Sequence, residues 1–270
     1  MIGEVQVLAA GSTGCHIFSG CGFPAPSLND FDFQPIFSIG SFHFTKPMLI
    51  VVLCALIVIV FFGAAFWKPK LVPRGVQNLG EVALFGVRDQ ILRPSLGKRG
   101  DNFLPFLMSL FFFIYFMNLM EIIPFFQFPA TSRSGIPWSL VAIVYVTYLY
   151  LGFKNQGFTG YFKKMVPQDV PTWVLGILVP LEFARYFVIQ PFTLGVRLFA
   201  NMFAGHLLLL IFTLATWYLA SLSVGLVYAA TSAVMVLAVT VLEALIQLLQ
   251  AFIFTTLTAV YIADSLEAGH

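Results

Sequence analysis

Arg197 stands in the middle of the apolar stretch FTLGVRLFANMFAGH. A guanidinium there costs about 2.5–3.5 kcal/mol to insert into lipid. Its charge cannot be titrated away, because guanidinium stays protonated at any reachable pH. Such an arginine either pairs with a carboxylate on a neighbouring helix, which is a purely structural use, or serves as a fixed positive charge on an ion path. Its neighbours favour the ion path. Asn201 lies four residues on, near the same helix face, and Ala200, Ala204 and Gly205 allow another backbone to come close. His206 falls on a different face. In the next apolar stretch Glu243 and Gln250 are seven residues apart, so they share one face two turns from each other.

Histidine titrates near neutral pH, and a carboxylate beside it brings both protonation states within reach. His206 with Glu243 therefore makes a proton relay, or else a fixed hydrogen-bonded pair that only joins two helices. If the two stretches run antiparallel, residues at one depth have numbers with a nearly constant sum. That rule sets His206 level with Glu243, Arg197 with Gln250, and Glu182 with Asp264. Asn118 and Glu121 extend a wet path toward the exterior, while Glu182 and Asp264 open it toward the cytoplasm. Arg185, three residues after Glu182, neutralises that acid.

These residues need long apolar elements to hold them, and the composition supplies them. The 270 residues are 59% hydrophobic and 10% charged, too little polar surface to cover a water-soluble globule of this size. The main solvent is the lipid bilayer. A net charge of +2 gives no reason to expect a nucleic-acid partner, and no phosphate-cradling Gly-rich motif ending in Lys and Ser or Thr is present. The start, MIGEVQVLAAGSTGC, lacks a basic region and an apolar core, so no removable signal peptide is expected. Cys15 and Cys21 lie in a polar, Gly-rich segment where a disulfide and free thiols are both chemically allowed.

Pro47 to Trp67 is an uncharged run of 21 residues, long enough to cross a hydrocarbon core of about 30 Å. Gln77 to Leu92 mixes charged and apolar positions as an interfacial helix does. Phe103 to Ile123 is a second crossing; Pro124 and Pro129 make a turn, and Trp138 to Phe153 returns as the third, with Trp138, Tyr145, Tyr148 and Tyr150 suited to the headgroup belts. The apolar runs Thr172–Leu219 and Gly225–Ile262 would be helices about 72 and 57 Å long. Each is either two spans or one steeply tilted helix. With no charged loop dividing either, two tilted antiparallel helices joined near Ala220 to Val224 are preferred, and Pro191 can kink a helix as easily as end it.

The predicted fold class is an all-α membrane protein with about five crossing helices and one interfacial helix, the last two crossings long, tilted and antiparallel. The predicted division is an extracytoplasmic segment (1–46), a first transmembrane helix (47–67) and a cytoplasmic segment with the interfacial helix (68–102). A transmembrane hairpin (103–153), a cytoplasmic loop (154–171), a long helix hairpin carrying the proton path (172–262) and a tail (263–270) complete it. Ten of the 14 Lys and Arg residues fall in the two cytoplasmic segments: Lys68, Lys70, Arg74, Arg88, Arg93, Lys98, Arg99, Lys154, Lys163 and Lys164. Basic residues concentrate on the cytoplasmic side, which puts the N-terminus outside and the C-terminus inside the plasma membrane.

Three stretches carry a family resemblance: PFTLGVRLFANMFAGH (Pro191–His206), QAFIFTTLTAVY (Gln250–Tyr261) and MNLMEIIP (Met117–Pro124). Together they resemble subunit a of the bacterial F-type ATP synthases, over roughly Phe44 to Asp264. The resemblance implies a non-catalytic, proton-translocating stator with no cofactor of its own. Its implied partners are a c-ring of rotor subunits, each bearing an acid, and the peripheral-stalk b subunits. It implies that Arg197 is the essential stator arginine, that Asn201, His206, Glu243 and Gln250 line the outer half-channel and the arginine's surroundings, and that Glu182 lies on the inner half-channel. In one common bacterial pattern the position of His206 is acidic and that of Glu243 is histidine, so this chain exchanges the pair while keeping both groups. Arg185 also departs from the small or polar residue expected there. The alternatives are a secondary transporter with a mid-membrane substrate site, for which an internal repeat is expected and none is visible, and an assembly subunit whose charges only orient helices.

Overall fold

In the computed structural model, residues 37–39, 42–67, 70, 72–123, 130–164, 172–219 and 224–266 are described. Cys15, Cys21, Pro124, Pro129, the turn at 220–223 and most of the N-terminal segment lie outside these residues. The described chain opens on a short antiparallel ribbon, β1 (Phe37–Ile39) and β2 (Phe42–Phe44), with Phe37 opposite Phe44. Among the described residues, the regular elements after it are all helices.

The first crossing, α1 (Lys46–Phe66), starts with Pro47 in its first turn, where the missing N–H costs no intrahelical bond. The interfacial helix α2 (Val76–Val87) is anchored by Gln77, which accepts from Lys70 N and donates to Lys70 O and to Glu81 Oε1. Gly80 of α2 lies so close to Ala65 of α1 that a Cβ there would overlap it. Val76, Leu79, Val82 and Phe85 form an exposed apolar stripe turned away from the rest of the chain, as an element in contact with lipid requires. After short helical turns through Phe103 come the second crossing, α3 (Leu104–Leu119), and the third, α4 (Gly135–Lys164). The third helix runs further than its apolar stretch, past a break at Gly157, whose φ of 69° belongs to the left-handed region that glycine enters without steric cost.

The last two crossings are very long. α5 (Thr172–Ala184) passes through a wide turn at Arg185–Ile189 into α6 (Gln190–Tyr218), and α7 (Val224–Leu266) returns antiparallel to it. Helical segments of 45 and 42 residues would be about 68 and 63 Å long, roughly twice a hydrocarbon core, so each crosses at a steep incline or projects from the membrane. Apart from the ribbon, the described residues form an all-helical membrane protein, with five helices long and apolar enough to span.

Two wide turns have one cause. In each, an N–H reaches back five residues instead of four, from Arg93 to Arg88 O and from Gln190 to Arg185 O. Each is followed at once by a proline, Pro94 or Pro191, whose ring would clash with the carbonyl four residues earlier and which has no N–H to offer it. Proline here loosens a helix without ending it. At the second turn Tyr148 Oη of α4 donates to Tyr186 O at 3.0 Å, satisfying a carbonyl in the loosened segment.

The core lies where α1, α3, α4, α6 and α7 meet, around Ile50, Leu107, Ile114, Tyr148, Leu198 and Phe254. Elsewhere much of the outer surface is apolar. On α7 Leu237, Val241, Leu242, Leu245, Leu248 and Leu249 are all exposed, the pattern of a helix surrounded by hydrocarbon or by other apolar helices.

Candidate functional site

α3 ends in a turn that carries Glu121, with Glu121 N bonded to Asn118 O at 3.0 Å. Both side chains point inward: Asn118 is fully buried and accepts a hydrogen bond from Thr131 Oγ1, while the Glu121 side chain is 1% exposed. A carboxylate at such depth must be met by donors, or its desolvation would not be offset. It has one on each oxygen. His206 Nδ1 of α6 lies 3.1 Å from Oε1, and Gln247 Nε2 of α7 donates to Oε2 at 3.0 Å. Three helices thus converge on one acid.

Glu243 lies beside this group, buried, with its carboxylate packed on the backbone of Gly205. A side chain at 205 would overlap all three terminal atoms of Glu243. Gly205→Ala is therefore expected to displace the Glu243 carboxylate and cut proton conduction about tenfold, the scale of an overpacked contact. Gly63→Ala, with nothing within 4 Å, is expected to leave conduction unchanged. Measured proton uptake by vesicles holding each variant checks the contrast.

Further along the hairpin, Asn201 Nδ2 donates to Gln250 Oε1 at 2.9 Å. Near its end, Arg185 binds two acids: Glu182 at 3.2 Å and, across to α7, Asp264 at 3.3 Å. Arg197 stands between these groups. It is exposed on the outer face of α6, in a stripe with Val196, Ala200, Asn201 and Ala204, and makes no hydrogen bond or ion pair with any described residue.

The structure thus differs from the sequence expectation in three pairings. His206 bonds Glu121 instead of Glu243, whose carboxylate meets the neighbouring Gly205. Gln250 bonds Asn201, one turn along α6 from the Arg197 it was expected to match in depth. Glu182 and Asp264 are joined through Arg185, which bridges both acids where it was expected to neutralise one. Two members of the site were not singled out from sequence, Thr131 and Gln247. Gln247 had a visible signal, since it falls four after Glu243 and three before Gln250 on the same helix stripe. Thr131 had none, because only the fold brings it to Asn118.

Among the described residues, Asn118 Nδ2, Glu243 Oε2, Gln247 Oε1 and Gln250 Nε2 are buried without a hydrogen-bond partner. Each such atom costs about 1–3 kcal/mol if left dry. Four of them along one seam mark a place made for water. A line of polar, hydratable groups that includes an imidazole and two carboxylates can pass protons.

The family model described as ATP synthase A chain matches residues 48–263. An ATP synthase subunit a from Streptomyces lividans is 46% identical over 98% of this chain and 95% of its own length. Another from Rhodococcus erythropolis is 42% identical over 91% of each chain, and one from Frankia alni 39% identical over 92% of this chain and 88% of its own. Matches of this extent cover every helix that carries a polar group of the seam, and on that ground the chain belongs to the ATP synthase A chain family.

Proposed function

We propose that this chain is the proton-conducting stator of a rotary F-type ATP synthase, with two offset half-channels separated by Arg197 and a c-ring turning against the outer face of α6 and α7. The observation that carries this reading is the placement of Arg197: a permanent cation, mid-span, exposed on a face of small residues and unpaired within the described chain. A charge meant only to join helices would be buried against an acid of its own chain. One turned outward serves a partner that brings the acid.

Protons enter from outside past Glu121, Asn118, His206 and Glu243, load a rotor carboxylate near Asn201 and Gln250, travel with the ring, and leave past Glu182 and Asp264. The rotor carboxylate enters the low-dielectric interface ionised only where it faces Arg197, and the same cation repels a proton attempting a direct crossing. Each proton yields about 2.3 kcal/mol per 100 mV, so several must pass for each ATP made elsewhere in the complex. Residues 1–46 lie outside, 68–102 and 154–171 inside, and the peripheral-stalk b subunits hold the chain against the torque of the ring. The exposed apolar faces and the basic loops support this arrangement.

Vesicle proton flux tests the proposal. The chain reconstituted with a purified rotor ring is expected to conduct, and without the ring it is expected to be silent. Flux from the chain alone, coupled to a small solute, would point instead to a transporter.

A further inference from the structure

Glu121 is held from two directions, and only one of its two donors can carry a proton onward. His206 can release and regain a proton; Gln247 cannot. Gln247 is nevertheless fully buried on α7 and donates 3.0 Å to Glu121 Oε2. A carboxylate only accepts, so the amide nitrogen must face it, and the amide oxygen is turned away as a buried acceptor without a partner. The terminal torsion of a glutamate is broad and close to two-fold, so an unclamped carboxylate would present either oxygen to the imidazole at variable angles. With Oε2 fixed by Gln247, Oε1 is the one that faces His206 Nδ1, at 3.1 Å.

We infer that Gln247 is a positioning residue for proton entry: it clamps Glu121 so that one defined oxygen exchanges protons with His206. This inference rests on the outer half-channel reading above and assigns that path a member that never itself ionises. Among the described residues, these groups face the clamp. From α3 come Glu121 and the neutral Asn118, from the turn before α4 Thr131, from α6 His206, and from α7 Glu243, four residues before Gln247 on the same face. Arg197 lies about 14 Å along α6 from His206 and faces outward, so it takes no part in the clamp. A filler residue at 247 needs only the volume of glutamine. A positioning residue needs its N–H.

The test uses the assembled complex in vesicles, with proton conduction measured as a function of the pH outside. Gln247→Met keeps the volume and loses the donor; Gln247→Glu keeps the shape and replaces the donor with an acceptor. Both are expected to slow conduction by about tenfold, the usual worth of a hydrogen bond to a charged group, and to move the midpoint of its dependence on outside pH. Added to Glu121→Gln, Gln247→Met is expected to slow conduction no further, since the group it positions is already gone. Wild-type rates in Gln247→Met, an unmoved pH midpoint, or the same loss in both backgrounds would overturn the clamp. Should Gln247→Met fail to assemble, Gln247→Glu decides, with an unmoved midpoint again overturning it. Normal conduction in Glu121→Gln alone would bring down the outer-path reading together with the clamp, whereas a block there beside a normal Gln247→Met sinks only the clamp.

Discussion

Arg197→Ala is expected to abolish ATP synthesis driven by a proton gradient, with activity falling to the background of vesicles lacking the complex. On the proposed mechanism, an ionised rotor carboxylate entering the membrane interface without a counter-charge would meet a desolvation cost of several kcal/mol, and each 1.4 kcal/mol is a factor of ten. The loss should therefore exceed about a hundredfold. Arg197→Lys is expected to rescue little. An ammonium is more strongly hydrated, offers no planar fork, and lowers its pKa readily in apolar surroundings, so its charge is not guaranteed at this depth. The exposure of Arg197 makes a second readout available, because a charge that faces outward contributes little to internal packing. The variant is expected to insert and assemble normally while failing to couple. Normal coupled synthesis in Arg197→Ala would end the stator assignment.

The second large effect concerns the exchanged acid and imidazole. His206→Glu and Glu243→His are each expected to slow proton conduction by about a hundredfold, within the range that a positioned general acid or base contributes. The first sets a carboxylate against the already buried Glu121, and the second leaves two imidazoles around one acid. Made together, the changes restore one acid and one imidazole beside Glu121, and the double variant is expected to recover at least about tenfold over either single one, a coupling typical of residues in contact. Gly205 helps, since it leaves room on α6 for whichever group occupies 243. A double variant whose loss is the product of the two single losses would separate the residues into independent contributions. Proton pumping and passive conduction, read in the same vesicles, check the outcome.

Much of this arrangement was legible in the residues because the membrane is an exacting solvent. Apolar runs of fixed length mark the crossings, and a charge in lipid stands out against them, so Arg197, Glu243 and Glu121 announce themselves. Depth was legible too: counting along an antiparallel hairpin placed Glu243 within one residue of its observed neighbour Gly205. Partners were harder to read. The count treats α6 and α7 as a pair, whereas His206 turns to a third helix, α3, whose lateral position no periodicity in α6 or α7 encodes. The pairing of Gln250 has the same origin, because side-chain reach and local packing decide which of two residues a turn apart meets an amide. Arg185 was unexpected as a type, yet its spacing from Glu182 was readable; only its second bond, to Asp264, needed the fold.

The loosened turn before Pro191 has a geometric consequence for the two arginines of this helix. Twelve residues separate Arg185 from Arg197, and in a regular α-helix they would point about 120° apart around the axis. Lengthening one loop of the winding by a residue removes one step of the rotation, which leaves about 20° between them. Both cations then lie along nearly the same meridian, some 18 Å apart in height. The acidic pair gathered by Arg185 then falls on the longitude of the outward cation, so in the proposed path one side of the helix would carry both the barrier and the exit.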